Sequence, residues 1–262
     1  MDNLNICVHV PHSSNVIPAA CRKEFTVSDD RLRDELLHMT DWYTHELFWA
    51  DSFPSVVFPY SRLVCDVERF PDPVDETMMQ KGMGMYYTHG YDCSRIRQSP
   101  FGSEAGLQSY MWVLKVYQAH HKKLREMVEN GLDSSGKVLI VDAHSFPSVR
   151  LPYEGVPDRK RPDICIGTDE VFTPPELVET VRQYFRQNGL TVSVDFPFSG
   201  TLVPQPFFGK RDTRVQSIMI EVNRRLYMNE TTGEKKVGFS SVRSLIKDMY
   251  ALLSDEEKAV VV

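Results

Sequence analysis

The chain of 262 residues has no C-x-x-C pair among its five cysteines, no long basic run, no internal repeat and no low-complexity tract. No stretch of it approaches the roughly 20 consecutive apolar residues that a membrane-spanning helix needs. Its first residues, MDNLNICVHVPHSS, lack the basic and apolar regions of a secretory signal. Acidic residues outnumber basic ones, 36 to 30, for a formal net charge of −6. These absences argue against a membrane protein, an exported protein and a binder of nucleic-acid backbones. A soluble cytoplasmic protein is expected. Cys7, Cys65 and Cys165 each sit in an apolar run and read as buried thiols of a reducing compartment, so a disulfide framework is not expected.

What is present is a core: 42% of residues are hydrophobic and the length suits one large domain, taken as residues 1–262. Short apolar runs predict strands at 5–10, 55–58, 62–67, 137–143, 163–166, 191–194 and 216–222. Several, such as VLIVDA and SIMIEV, are apolar on both faces, as strands covered by helices on each side should be. Helical patterns cover 29–50, 106–130, 174–188 and 240–253, the third with Thr173 as expected N-cap. This alternation predicts an α/β protein, a three-layer α/β/α sandwich. Residues 71–103, rich in Gly, Pro, Asp and Tyr, have little periodicity and read as a long excursion near the site.

Ligands of open α/β sheets bind beyond the carboxyl ends of strands. Here those ends carry His12, then Asp142, His144 and Ser145, then Glu221, Asn223, Arg224 and Arg225. Two histidines at the ends of two core strands suggest metal ligands, since a catalytic zinc takes about three protein ligands and leaves one position open. For the third ligand Asp41 is the candidate, on a predicted helical stripe with Leu37 and Phe48; a buried aspartate needs a partner, either such a metal, Arg62 or Arg69, or a neighbouring backbone group that it caps. Glu68, in CDVERF, competes for the same role. Glu221 lies on one strand face with Ser217 and Met219 and either pairs with Arg224 or moves a proton on substrate. Arginines near the strand ends suit a carboxylate-bearing substrate.

Ordered blocks from about residue 6 to 230 carry a wider resemblance: VPHSSNVIP (10–18), TDWYTHELF (40–48), PYSRLVCDVERFPD (59–72), GMGMYYTHG (82–90), VDAHSFPS (141–148), RPDICIGT (161–168), DFPFSG (195–200) and QSIMIEVNRRLYMNE (216–230). The chain resembles the N-formylglutamate amidohydrolase family, zinc-dependent hydrolases sharing a fold with carboxypeptidases and succinylglutamate desuccinylase. That resemblance implies a phosphorylase/hydrolase-like sandwich around a mixed sheet, of the zinc exopeptidase type. It implies His12, Asp41 and His144 as metal ligands, Glu221 as general acid/base, and Arg69, Arg161, Arg224 and Ser145 as substrate contacts. Zinc is the implied cofactor, with manganese or cobalt also suited to the donor set. The implied reaction is hydrolysis of N-formyl-L-glutamate to formate and L-glutamate, in histidine degradation. One departure stands out: many members have Asn where this chain has Glu68, which bears on the acyl-amino acid chosen. Other readings are a metalloamidase for another N-acyl amino acid or short peptide, a non-catalytic carboxylate binder, and a thiol amidase using Cys7, Cys65 or Cys165.

Overall fold

The computed structural model describes residues 5–72, 74–157 and 159–254. Six strands form one sheet: β1 (Asn5–Val10), β2 (Ser55–Val57), β3 (Val138–Phe146), β4 (Ile164–Gly167), β5 (Val192–Val194) and β6 (Val215–Asn223), in the order β2-β1-β3-β6-β4-β5. Strands β2, β1, β3 and β6 run parallel, while β4 is antiparallel to β6 and parallel to β5, so the sheet is mixed. The helices are α1 (Ala19–Arg22), α2 (Asp29–Met39), α3 (Thr44–Leu47), α4 (Glu104–Ser135), α5 (Pro175–Gln187), α6 (Gln205–Phe208) and α7 (Phe239–Ser254). None is long and apolar enough to cross a membrane.

The period of two along each strand sorts the core into two faces. Val8, Val141, Ala143, Ile218 and Ile220 meet α3, α5 and α7 on one side; Cys7, Val138, Ile140 and Val215 meet α4 on the other through Leu124, Met127 and Val128. Helix α4 runs 32 residues and stops at Gly136, whose φ of +75° an L side chain would resist. Central strands β3 and β6 are buried almost throughout, which matches their apolar character on both faces. The α/β architecture with helices flanking a mixed sheet is therefore the one expected.

Three local expectations fail, each for a definable reason. The predicted helix 29–50 is two helices, because the chain leaves α2 at Thr40 and turns through Tyr43, at φ +65°. The Asp41 amide donates to the His12 carbonyl at 3.0 Å instead of continuing the helix, and the Trp42 indole caps the Leu37 carbonyl at 3.2 Å. Asp41 thus lies in the break, not on a helical stripe. The predicted strand at 62–67 is a series of turns, its carbonyls at Leu63 and Val64 taken by the buried Arg97 guanidinium at 3.2 and 3.0 Å. Val64, Cys65 and Val67 are buried there against Phe58, Tyr86 and Val113, so burial without ladder pairing explains their apolarity. Thr173 does not cap α5; Pro174 holds that position, and the Thr173 hydroxyl donates to the Ser217 carbonyl at 2.7 Å.

Ile220 is fully buried in the middle of β6 on the face covered by α5 and α7. Ile220→Ala is expected to lower the unfolding free energy by about 2–5 kcal/mol through lost contacts and a residual cavity, read as a lower urea midpoint with unchanged m-value.

Candidate active site

The face turned towards α4 changes character along the strands. It begins apolar at Cys7, Val138, Ile140 and Val215 and ends polar at His9, Asp142, His144 and Glu221, by the same alternation of side chains. Parallel pairing sets His9 beside Asp142 and His144 beside Glu221. A cavity of about 320 Å³ opens over these carboxyl ends, lined by His12, Asp41, Arg62, Glu68, Arg69, Lys81, His144, Ser145, Tyr153, Glu154, Glu221 and Arg224 among others.

Both histidines are gripped by buried acids. His12 Nε2 lies 2.8 Å from Asp66 Oδ1, while its Nδ1, buried too, has no hydrogen-bond partner among the described residues. That Nδ1 is 3.8 Å from both Asp41 Oδ2 and Glu68 Oε2. His144 has Asp41 Oδ2 at 3.2 Å from Nδ1, and Glu68 Oε1 and Asp142 Oδ1 at 3.1 and 3.3 Å from Nε2. Donor atoms of His12, Glu68 and His144 come close enough together for one cation, as do those of His9, Glu68 and Asp142. The donor chemistry, imidazole with carboxylate, is that of zinc, manganese or cobalt sites.

Asp66 supports this arrangement from below. Its oxygens take His12, the Arg62 guanidinium (2.8 Å), the Tyr87 hydroxyl (2.8 Å) and the Glu68 amide (3.1 Å). Burial alone would raise its pKa, but the charges of Arg62, His12 and Arg69 hold it well below the ordinary carboxylate range. Asp41 is similar: burial opposes ionisation, yet the His144 hydrogen bond and the Arg224 charge hold it at about 2. Arg224 is spent on this task, since it donates to Asp41 Oδ1 at 2.9 Å, the His38 carbonyl at 2.6 Å and Ser145 Oγ at 3.1 Å. Glu221 differs from them. Buried with Oε2 unpartnered among the described residues, it is pushed up to about 8, chiefly by desolvation.

The expected site residues are thus mostly gathered at one cavity: His12, Asp41, Arg69, His144, Ser145, Glu221 and Arg224 all line it. Arg161 is set apart. Its buried guanidinium pairs with Glu154 and donates to the Pro147 carbonyl at 3.0 Å, and it does not line the cavity. The partner of Asp41 is Arg224 and not Arg62 or Arg69, which face Asp66 instead. Sequence reasoning missed Asp66 and Lys81. An acid flanked by apolar Val64, Cys65 and Val67 was the available signal for the first. Lys81 belongs to the excursion, where its Nζ donates to the Tyr153 carbonyl at 2.6 Å and no periodicity marks it. The thiols of Cys7 and Cys165 are pushed up to about 12 by burial, and that of Cys65 is also raised, so none is poised as a nucleophile.

A sheet of this topology, with imidazoles and carboxylates meeting over its parallel strand ends, defines an α/β protein with a candidate hydrolytic cation site. Comparison with known proteins is consistent with that class. The family model described as N-formylglutamate amidohydrolase matches residues 4–228, and the chain belongs to this family. An N-formylglutamate deformylase of Pseudomonas putida is 25% identical over 237 residues, covering 87% of this chain and 83% of the relative. The crystal structure of an N-formylglutamate amidohydrolase from Ralstonia eutropha superposes with a TM-score of 0.80 at 22% identity, over 98% of this chain and 95% of that one. A gene product of Agrobacterium tumefaciens gives 0.64 at 21% identity, over 98% and 93%.

Asp66→Asn should leave the Arg62 charge buried without its counter-ion, at a cost of about 3–5 kcal/mol. Because the native pKa of Asp66 is depressed, its contribution is present above the unfolded carboxylate range and is lost on acidification below it. Urea unfolding of both proteins at pH 7 and pH 3 is expected to show a large gap that narrows at low pH.

Proposed function

We propose that this protein hydrolyses the amide bond of an N-acyl amino acid, with N-formyl-L-glutamate the substrate that its family favours, and that it does so with one catalytic divalent cation, zinc by preference. The observation that carries this reading is His12 Nδ1: a buried imidazole nitrogen, aimed at two carboxylates, with its other nitrogen held by Asp66. An acid on the far nitrogen of a metal-binding histidine is the usual arrangement that fixes its tautomer and orientation. His12 and His144 would hold the cation with a carboxylate. Glu68 is favoured over Asp41 for that role: Asp41 Oδ2 also faces both histidines, but Asp41 Oδ1 is engaged by Arg224, while both oxygens of Glu68 are turned to the histidines. Asp41 then serves to orient His144 and Arg224.

When bound, such a cation polarises the scissile carbonyl and lowers the pKa of the attacking water towards roughly 7. Glu221 is the group suited to take that proton and deliver it to the leaving nitrogen. It lies beside His144 in the strand register, and burial raises its carboxyl above the ordinary range, which suits a group that takes up a proton and then returns it. The substrate carboxylates find two cations not already neutralised by a close acid. Arg69 has only a long ion pair to Asp66 (3.7 Å), with its Nε unpartnered among the described residues, and Lys81 contacts a neutral carbonyl. Arg224 and Ser145 position Asp41 and do not reach for substrate; Arg161 acts behind Glu154. The expected place in histidine degradation rests on this substrate.

Glu68 favours a second reading within the same chemistry. A carboxylate that is 17% exposed at the cavity disfavours an anionic group beside it, which would shift selectivity towards an N-acyl amino acid with a smaller or neutral side chain. Initial rates on a panel of N-formyl and N-acetyl amino acids decide between them.

Release of formate from N-formylglutamate is expected to stop on chelation and return with zinc; activity untouched by chelation overturns the cation-dependent mechanism. Glu221→Gln should lower kcat by about 10²–10⁴-fold while the protein still binds metal. As the basic form of Glu221 is the active one, kcat/KM should rise with pH along a limb at or below about pH 8, and that limb should vanish in Glu221→Gln. Arg69→Gln is expected to raise KM at least tenfold with a smaller effect on kcat, as for a residue that binds ground state and transition state alike.

A further inference from the structure

Glu68 touches two groups of potential ligands, not one. We propose that it bridges two divalent cations, the first at His12 and His144 and a second at His9 and Asp142. The first of these rests on the reading given under the proposed function. The second rests on residues to which that reading assigns nothing.

His9 Nδ1 lies 2.8 Å from Asp142 Oδ1 and 3.8 Å from Glu68 Oε1, and all three donor atoms fall within the span of one ion. His9 and Asp142 are buried and stand opposite each other in the β1–β3 register, so their side chains project from the same sheet face. Each is held from behind. Asp142 Oδ2 accepts from the Leu202 amide at 2.9 Å, and His9 Nε2 lies 2.8 Å from His120 Nε2. Two imidazole nitrogens at that distance share one proton. His9 Nδ1 and Asp142 Oδ1 are at hydrogen-bond distance, so a cation here would displace the proton between them while His9 keeps its other proton for His120. This is the outer-ligand support that metal-binding histidines receive elsewhere, with an imidazole in the supporting role.

Glu68 supplies what two neighbouring dications require. Ions roughly 3.5–4 Å apart, the spacing of two-metal hydrolytic sites, repel each other unless an anion lies between them. Glu68 Oε2 faces His12 Nδ1 at 3.8 Å, and Oε1 lies 3.1 Å from His144 Nε2 and 3.8 Å from His9 Nδ1, so Oε1 is the oxygen that the two positions would share. Its backbone amide is tied to Asp66, the same acid that holds His12, which limits how far the carboxylate can swing. Glu68 is 17% exposed and lines the cavity, while His9 and Asp142 lie buried behind it. One nitrogen and two carboxylates make a donor set suited to zinc, manganese or cobalt.

The test is the metal stoichiometry of the stripped full-length protein, loaded with Zn²⁺ by equilibrium dialysis and separately with Mn²⁺ for electron paramagnetic resonance. Two equivalents of zinc per chain and an exchange-coupled manganese pair are expected. His9→Asn should reduce this to one equivalent with an uncoupled signal, and Glu68→Gln should abolish the coupling and weaken retention by at least tenfold. Circular dichroism checks that each variant folds; Glu68 is the more exposed, so it keeps the test informative if His9→Asn fails. One equivalent in the wild type overturns the second site and leaves the proposed function standing. Two equivalents kept by both variants also overturn it, placing the extra ion elsewhere. No bound metal at all overturns both readings together.

Discussion

A carboxylate removed from water is tolerated only where hydrogen bonds and opposite charge replace its hydration, and Asp66 meets that condition four times over. His12, Arg62, Tyr87 and the Glu68 amide converge on its two oxygens in a fully buried position. Because each partner is itself a cavity residue or adjoins one, satisfying this single charge sets the tautomer of His12, the direction of Arg62 and the placement of Glu68. Asp41 and Arg224 do the same work on the other side of the pocket, joining the α2–α3 break to the end of β6. The reactive groups sit in a frame of ion pairs whose rupture would leave isolated charges in the interior.

That frame bears on how a cavity lined by Asp41, Glu68, Glu154 and Glu221 would take an acidic substrate. Most of the guanidinium charge at the cavity answers acids of the protein, not of a ligand: Arg62 answers Asp66, Arg224 answers Asp41, and Arg161 answers Glu154. Arg69 and Lys81 are the cations left with weaker claims on them, and they come from the turn-rich segment and the excursion that cover the sheet. Under the proposed function His144 and Glu221 come from strands and His12 follows the end of one, whereas Glu68, Arg69 and Lys81 come from the covering segments. Such covering segments are where members of one fold differ in substrate.

The chain belongs to the N-formylglutamate amidohydrolase family, and within its cavity Glu68 is the partly exposed carboxylate beside the buried Asp41, Glu154 and Glu221. An amide side chain at that position would be neutral, with one oxygen and two donors; a carboxylate brings charge and two acceptor oxygens. It faces His12 and His144 on one side and His9 on the other.

Much of this was legible in the sequence. Alternation and apolar runs determine β1, β3 and β6, and with them which residues reach the carboxyl ends: Asp142, His144 and Glu221 follow from period two and strand length alone, and His12 comes just past the end of β1. Helices α4, α5 and α7 were visible in their 3.6-residue patterns. The break after α2 was not, because helical periodicity continues through it, while the extended backbone of Thr40, the positive φ of Tyr43 and the bond from Asp41 to the His12 carbonyl end the ladder. The turns at 62–67 looked like a strand, because burial makes any segment apolar whether or not it joins a sheet. Charge pairing was out of reach as well. Arg224 lies 183 residues from Asp41, nearer arginines were available, and packing alone selects between them. Side-chain periodicity is a local property of the backbone and is written in the sequence; the partner of a buried charge depends on which distant segments meet, and only the tertiary structure decides that.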